Sequence, residues 1–448
     1  MFNKVLIANR GEIAMRVIRS CRALGIRTVA IHSTADDGAL HVRFADEAVC
    51  VGPPEAHRSY LNIPAIISAA EVTGADAVHP GYGFLSEDAG FAELCHKCHL
   101  TFIGPSARAM RAWGDKVSAR KNAREHGLEL LPGTGVLETP EQAESEAARI
   151  GFPVIIKAAG GGGGRGMRIV RDKADVRHAF QTATTEAAKA FNNPQVYLER
   201  FVERPRHIEF QVLADQHGGV WTLGERECSL QRRHQKVMEE APSPVIDDEK
   251  RNGIGDNIRE AMRATGYHTV GTLEFLMDET GDLYFMEMNT RIQVEHPVTE
   301  MVTGVDLVEQ QLLAAAGEQL KLPDTRPWRF RGHAIECRIN AEDPRTFAPW
   351  PGVITEYHPP GGGGIRVDSG VYGGWRVPSC YDSLIAKVIS YGATRTEALA
   401  RMRVALDEFI IGGIRTNIPL HQALLNDPDV ISGNMSTRTI EGVVNRGF

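Results

Sequence analysis

The feature that most narrows the possible folds is a pair of apolar stretches, Leu273-Glu274-Phe275-Leu276-Met277 and Leu283 to Asn289, separated by Asp278-Glu279-Thr280-Gly281-Asp282. Runs of this kind flanking a polar, glycine-containing turn pair as an antiparallel hairpin. Pairing about Thr280-Gly281 sets Glu274 directly opposite Glu287, and opposed like charges destabilise a sheet. A divalent cation reverses that sign. Oxygen ligands from two strands suit Mg²⁺ or Mn²⁺, and Mg²⁺ also keeps water and substrate phosphates in its shell. The competing reading is a solvated acidic face.

From Glu287 onward polar residues take every second position, Glu287, Asn289, Arg291, Gln293 and Glu295, while Met286 and Met288 take the other parity. In an extended chain these polar residues face one way. Such a row of carboxylates, amides and a cation could serve a metal, an anion and a base together. An exposed edge strand is the alternative, and a turn after Thr290 would end the parity.

Further upstream, Lys157 is followed by Gly160 to Gly164, Arg165, Gly166 and Met167. So many glycines between two apparent strands expose backbone N–H groups and permit positive φ, so the loop can close over phosphates. It is not a Walker loop, because Lys157 precedes the glycines and no G-K-[ST] follows. A flexible surface hairpin is the plainer reading. His207 and Glu209, Glu225-Arg226-Glu227 and the run Gln231 to Lys236 add polar groups suited to phosphate or bicarbonate. Taken singly, a basic run is more often a solvated face, and Arg338 in HAIECRIN more often an ion-pair partner.

A chain of 448 residues exceeds the size at which one core keeps growing, so two or three lobes are expected. KVLIA, the turn Asn9 to Gly11, an amphipathic run to Leu24 and TVAIHS form a strand–helix–strand unit, so a parallel sheet begins here. The pattern continues with a helix from Ile63 to Val72, the strand AVH, a helix to about Cys98 and TFIG. No G-x-G-x-x-G follows the first strand, which argues against a dinucleotide. A charged helical segment from Ser106 to Gly127 leads to Leu131-Pro132-Gly133, a boundary by its turn chemistry. A small lobe follows, and from about Arg204 the strands HIEFQVLA, GVWTLGE, LEFLM and LYFMEMN read as mainly antiparallel.

Hydrophobic residues at 42% and charged residues at 24% exclude disorder. The formal charge of -7 comes with scattered lysines and arginines, which argues against nucleic acid. No run approaches the roughly 20 apolar residues of a membrane span, and the start lacks signal-peptide character, so a cytoplasmic protein without membrane association is expected. Seven cysteines, an odd number, do not indicate a disulfide framework. Cys95-His96-Lys97-Cys98-His99 looks like a zinc half-site, but no second pair completes it.

Six stretches together carry a family resemblance: IANRGEIA from Ile7, HPGYGFLSE from His79, GGGGGRGM from Gly160, ERECSLQRRHQK from Glu225, EMNTRIQVEHPVTE from Glu287 and ECRINAEDP from Glu336. Over nearly its whole length the chain resembles the biotin carboxylase subunit of acyl-CoA carboxylases, within the ATP-grasp superfamily. The resemblance implies an α/β, three-lobed ATP-grasp fold. Its parts would be an N-terminal parallel-sheet (Rossmann-like) lobe at 1–112, linker helices at 113–130, a small mobile lid at 131–203 and a mainly antiparallel C-terminal lobe at 204–448. The implied reaction is MgATP-dependent carboxylation of biotin by bicarbonate through carboxyphosphate.

By the same resemblance, Lys116, Lys157, His207, Gln231, His234 and the loop glycines Gly162, Gly163 and Gly164 would surround ATP, with Glu199, Val202 and Leu276 around the adenosine. Glu274, Glu287 and Asn289 would hold the metal. Lys236, Arg291, Gln293 and the Val294 backbone would hold bicarbonate while Glu295 removes its proton. Arg338 would stabilise the biotin enolate, with Tyr82 and Gln231 near biotin or its bicarbonate partner. Lid closure would exclude water.

The implied partners are a biotin carboxyl carrier protein and carboxyltransferase subunits. No Met-Lys acceptor motif is present, so the carrier is expected on another polypeptide. Ala23 and Gly363 stand where bacterial members often have an acidic and an aromatic residue, so a homodimer with an altered contact is implied. Cys380 and Thr439 replace residues that are often aromatic. The expected acceptor is acetyl-CoA, with another acyl-CoA, pyruvate or another 2-oxo acid as alternatives. Rival readings are a different ATP-grasp ligase and a catalytically silent ATP-binding regulatory subunit.

Overall fold

The computed structural model describes residues 1–159, 167–191, 193–322 and 330–448. Among them, three sheets of four or more strands organise an α/β fold. The first is all parallel, in the order Glu47–Gly52, Arg27–Ser33, Lys4–Ile7, Ala77–His79, Thr101–Phe102. Its central strand buries Val5, Leu6 and Ile7 completely, as a sheet covered on both faces requires. Helix Gly11–Ala23 turns Ile13, Ala14, Val17, Ile18 and Cys21 inward, the spacing of one helical face.

The edge strand Glu47–Gly52 escapes the sequence reading, because its half-exposed residues carry little apolar signal. The zinc half-site is instead a helix end. Cys95 is buried in apolar packing, which pushes its thiol up to about 12. Among the described residues no set of three ligand atoms gathers there.

The charged helical segment is two helices, Ala107–Gly114 and Lys116–Glu125. Asp115 breaks and restarts it, its carboxylate accepting from the Ser118 N–H at 2.9 Å. The second sheet follows, with order Gly133–Leu137, Val196–Arg200, Val154–Ala158, Met167–Val170, all antiparallel. Helices Pro140–Ile150 and Val176–Phe191 pack on it around Val154, Ile156 and Leu198. The glycine loop, with Gly162, Gly163 and Gly164, lies outside the described residues. Its flanking strands pair with Lys157 opposite Met167.

The third sheet has eight antiparallel strands in the order Leu283–Asn289, Thr269–Met277, Arg206–Ala214, Val220–Arg232, Gln235–Ala241, His333–Asn340, Leu384–Gly392, Ile365–Ser369. Phe275 contacts Phe210 and Phe285 edge to face, with ring centroids 5.5 and 5.9 Å apart. Burying each ring contributes roughly 1.5–3 kcal/mol. No helix among the described residues is long and apolar enough to cross a membrane.

Candidate active site

Where the first and third sheets meet, a cleft of about 650 Å³ opens. Asn9 to Glu12 and Tyr82 to Phe84 line one side, and His234, Lys236, Glu274, Arg291, Gln293, Val294, Glu295 and Arg338 the other. The sequence motifs at 82, 234–236, 274, 291–295 and 338 therefore converge on one space.

The basic run Gln231 to Lys236 is the tight connection between two strands, with Arg233, His234 and Gln235 exposed. Arg232 pairs with Gln235, and Arg233 and His234 both take positive φ, 50° and 65°. This is the backbone of a two-residue hairpin turn that glycine and asparagine usually occupy. It leaves His234 exposed at the cleft and turns Lys236 inward.

Lys236 Nζ contacts Glu209, Glu274 Oε1 at 3.1 Å and Glu295 Oε1 at 2.7 Å. Burial opposes its charge, yet these three carboxylates hold its pKa well above the ordinary lysine range. Glu295, buried at 2% exposure, also accepts from Arg338 Nη2 at 2.9 Å. Burial disfavours the Glu295 carboxylate, but Lys236 and Arg338 keep its pKa below normal. Arg338 in turn donates Nε to Glu239 Oε1 at 2.5 Å. Burial pushes the Glu239 carboxyl up to about 7 despite that arginine.

Behind this group stands a fully buried arginine, Arg226, whose role sequence alone does not reveal. It binds Glu209, Gln211 Oε1 at 2.7 Å, Thr272 Oγ1 at 3.1 Å, Thr299 Oγ1 at 3.0 Å and the Gln293 side-chain oxygen. Gln293 then donates Nε2 to Glu274 Oε1 at 2.8 Å. Glu87, in the stretch HPGYGFLSE, is a second such residue. It accepts from Arg291 Nε at 2.9 Å and from the Thr290 N–H at 2.9 Å.

The alternating row from Glu287 to Glu295 does not lie on one strand face. The strand ends at Asn289, and Glu295 occupies the position preceding helix His296–Thr303. Arg291, Gln293, Val294 and Glu295 reach the cleft from a turn, whose polar atoms need partners that an extended edge would not supply.

The remaining nucleotide candidates fall into three groups, with Lys116 besides. Lys157 Nζ lies 2.6 Å from Glu199 Oε2, with Arg120 on the other oxygen. Val202 and Leu276 pack with Leu131 and Tyr284 in a small apolar cluster. His207 Nδ1 is 2.8 Å from Gln231 Nε2, and its Nε2 is 3.1 Å from Glu209 and 3.2 Å from Glu274. Burial would lower the His207 pKa, but Glu274 and Glu209 raise it to about 9. Lys116 is exposed at the start of its helix.

The donor set fits a hard divalent cation. Glu274 and Glu287 face each other in register, and the Glu287 side chain makes no hydrogen bond or ion pair with a described residue. Burial and the Glu274 charge raise the Glu287 pKa, which Lys116 offsets in part. Asn289 Nδ2 donates to Glu274 Oε1 at 2.7 Å, and its Oδ1 accepts from Arg291 at 2.8 Å. Oxygen ligands without thiolate or imidazole dominance suit Mg²⁺ or Mn²⁺.

Comparison with known proteins shows the family. The sequence matches the families described as biotin carboxylase, N-terminal domain, over residues 1–110, carbamoyl-phosphate synthase L chain, ATP binding domain, over 115–323, and biotin carboxylase C-terminal domain over 336–442. It is 55% identical to the biotin carboxylase of Haemophilus influenzae, covering 98% of each chain. It is 50% identical to a pyruvate carboxylase subunit of Methanothermobacter thermautotrophicus, covering 98% of this chain and 90% of that one. The biotin carboxylase domain dimer of Hydrogenobacter thermophilus 2-oxoglutarate carboxylase, solved with MgADP, ADP and bicarbonate, superposes with a TM-score of 0.91 at 48% identity over 99% of both chains. The chain belongs to the biotin carboxylase family of ATP-dependent ligases.

Proposed function

We propose that this cleft activates bicarbonate with MgATP and passes its carboxyl group to biotin on a separate carrier protein, as the first half of acetyl-CoA carboxylation. The observation that carries the reading is Glu295, a buried carboxylate held between Lys236 and Arg338 on the cleft wall. A base must be ionised and within reach of the proton it removes. Two cations keep Glu295 ionised, and bicarbonate seated on Lys236, Arg291, Gln293 and the Val294 backbone would present its O–H there.

That proton moves to a Glu295 oxygen, leaving the bicarbonate oxyanion to attack the terminal phosphate as ADP leaves. Glu274 and Glu287, with Asn289 beside them, would hold the divalent cation, which when bound neutralises phosphate charge. Lys116, Lys157, His207 and His234 serve the phosphates or ribose, with Glu199, Val202 and Leu276 at the adenosine. The carboxyphosphate so formed would split into CO₂ and phosphate, that phosphate would take the biotin ureido proton, and Arg338 would offer a fixed guanidinium to the resulting enolate as it attacks CO₂. Tyr82 lines that cleft, while Gln231 sits against His207. Residues 131–203 act as the lid over a core formed by 1–112 and 204–448, with 113–130 as linker.

Acetyl-CoA as the final acceptor rests on the resemblance of the six sequence motifs to acyl-CoA carboxylase subunits; relatives named biotin carboxylase are 53–55% identical and a pyruvate carboxylase subunit 50%. The chain is proposed to work as a homodimer beside carrier and carboxyltransferase subunits. The test is to isolate the chain with its natural carrier and transferase and follow labelled bicarbonate. Label in malonyl-CoA from acetyl-CoA supports the reading, and label in a dicarboxylate from pyruvate or 2-oxoglutarate contradicts it.

A further inference from the structure

Lys387, in strand Leu384–Gly392, has a fully buried side chain. Its Nζ donates to the Val294 carbonyl at 2.8 Å and lies 3.1 Å from Glu12 Oε1. Glu12, in helix Gly11–Ala23 of the first sheet's lobe, accepts a hydrogen bond from the Tyr82 hydroxyl. A buried ammonium is costly wherever an aliphatic side chain could fill the same volume. Here it spans two lobes, joining the cleft residue Tyr82 to the turn that carries Val294 and Glu295.

The target of that bond matters. The Val294 carbonyl and the Glu295 N–H belong to one rigid peptide plane. Holding the carbonyl fixes the plane from which the Glu295 side chain departs, and restrains Val294 on the other side. Glu295 has no side-chain cap on the helix it precedes; the turn is closed by the His296 N–H on the Gln293 carbonyl at 3.3 Å, and the Lys387 bond adds a second restraint, on the Val294 carbonyl. Glu12, and Asp368 paired with Lys387 on the neighbouring strand, supply the negative charge that keeps the ammonium protonated despite burial.

Resting on the bicarbonate reading above, we infer that Lys387 is a positioning residue. It locks the Val294–Glu295 peptide for bicarbonate, and it does so through Glu12 and Tyr82, so the base is aimed only when the first lobe is seated.

The test measures bicarbonate- and biotin-dependent ADP release by the full chain in the wild type and in K387M, K387R and E12Q. The inference expects K387M to raise the KM for bicarbonate at least tenfold with the KM for ATP within twofold, and K387R to recover most of the loss. Should K387M fail to fold by circular dichroism, the isosteric E12Q, which keeps the lysine, decides. It is expected to raise the bicarbonate KM at least threefold with ATP unaffected. A folded variant with unchanged bicarbonate KM overturns the inference, as does a proportional rise in both KM values, which a purely structural role would produce. Wild-type turnover that ignores bicarbonate would instead overturn the functional reading itself.

Discussion

Glu274 and Glu287 stand opposite each other because Met286 is inserted as an extra residue in the second strand. Nearer the turn Phe275 pairs with Phe285, and beyond Met286 the register shifts by one so that Glu274 meets Glu287. A one-residue slip turns every later side chain to the other face. The bulge therefore places both carboxylates on one face, and Asp278 steadies the turn by accepting from the N–H groups of Thr280 and Asp282 at 3.0 Å each.

Replacing Glu287 with glutamine removes one of two opposed charges. The unliganded E287Q chain is expected to gain roughly 0.5 kcal/mol and to lose the extra thermal stabilisation that Mg²⁺ adds to ATP. Melting curves with ATP alone and with ATP plus Mg²⁺ check this. A full Mg²⁺ increment in E287Q would remove the glutamate pair as the cation site.

Arg226 is completely buried and satisfies five side chains. Arg226→Met leaves Glu209 partly uncompensated and Gln293 without its donor, so a loss of about 3–5 kcal/mol is expected. Urea unfolding measures it, and a loss below about 1 kcal/mol contradicts the network.

The turn at Arg233-His234 holds two non-glycine residues at positive φ. Each such residue costs about 1–2 kcal/mol, so Arg233→Gly is expected to stabilise the chain by about 1 kcal/mol. An unchanged or lower unfolding midpoint would show that the arginine side chain repays the strain through contacts of its own.

Glu336 is buried, has no hydrogen-bond partner among the described residues on either oxygen, and lies beside Glu239 across the sheet. Burial raises its pKa well above the ordinary value of 4.5. An acid whose folded pKa is raised costs stability as pH climbs from the unfolded value through the folded one. Glu336→Gln escapes that cost, so its melting temperature relative to wild type should rise from pH 5.5 to pH 8. A pH-independent difference would mean that Glu336 titrates normally.

Much of this arrangement is legible from residue order. The strand and helix periods of the first lobe and the convergence of 236, 291–295 and 338 follow from local pattern or family motif. Pairing about Thr280-Gly281, by contrast, gives the Glu274–Glu287 opposition by a register the turn does not have, since Met277 faces Leu283 and only the bulge brings the two glutamates opposite. The bulge at Met286 leaves no mark, because one extra apolar residue between two others looks like continued alternation. The turn at Arg233-His234 lacks the glycine that signals such turns. Glu87, Arg226 and Lys387 join the site across 203, 67 and 93 residues of chain, to Thr290, Gln293 and Val294 respectively. Spacing rules reach only a few turns of helix or one hairpin, so pairings of this length are set by the packing of whole sheets.

The most direct measurement is ADP release by the purified chain with Mg²⁺ and bicarbonate, with and without free biotin, beside Glu295→Gln. The account predicts turnover that needs bicarbonate, rises with biotin and falls at least a hundredfold in the variant, about 2.7 kcal/mol of barrier. Turnover indifferent to biotin, or retained by the glutamine variant, would contradict it.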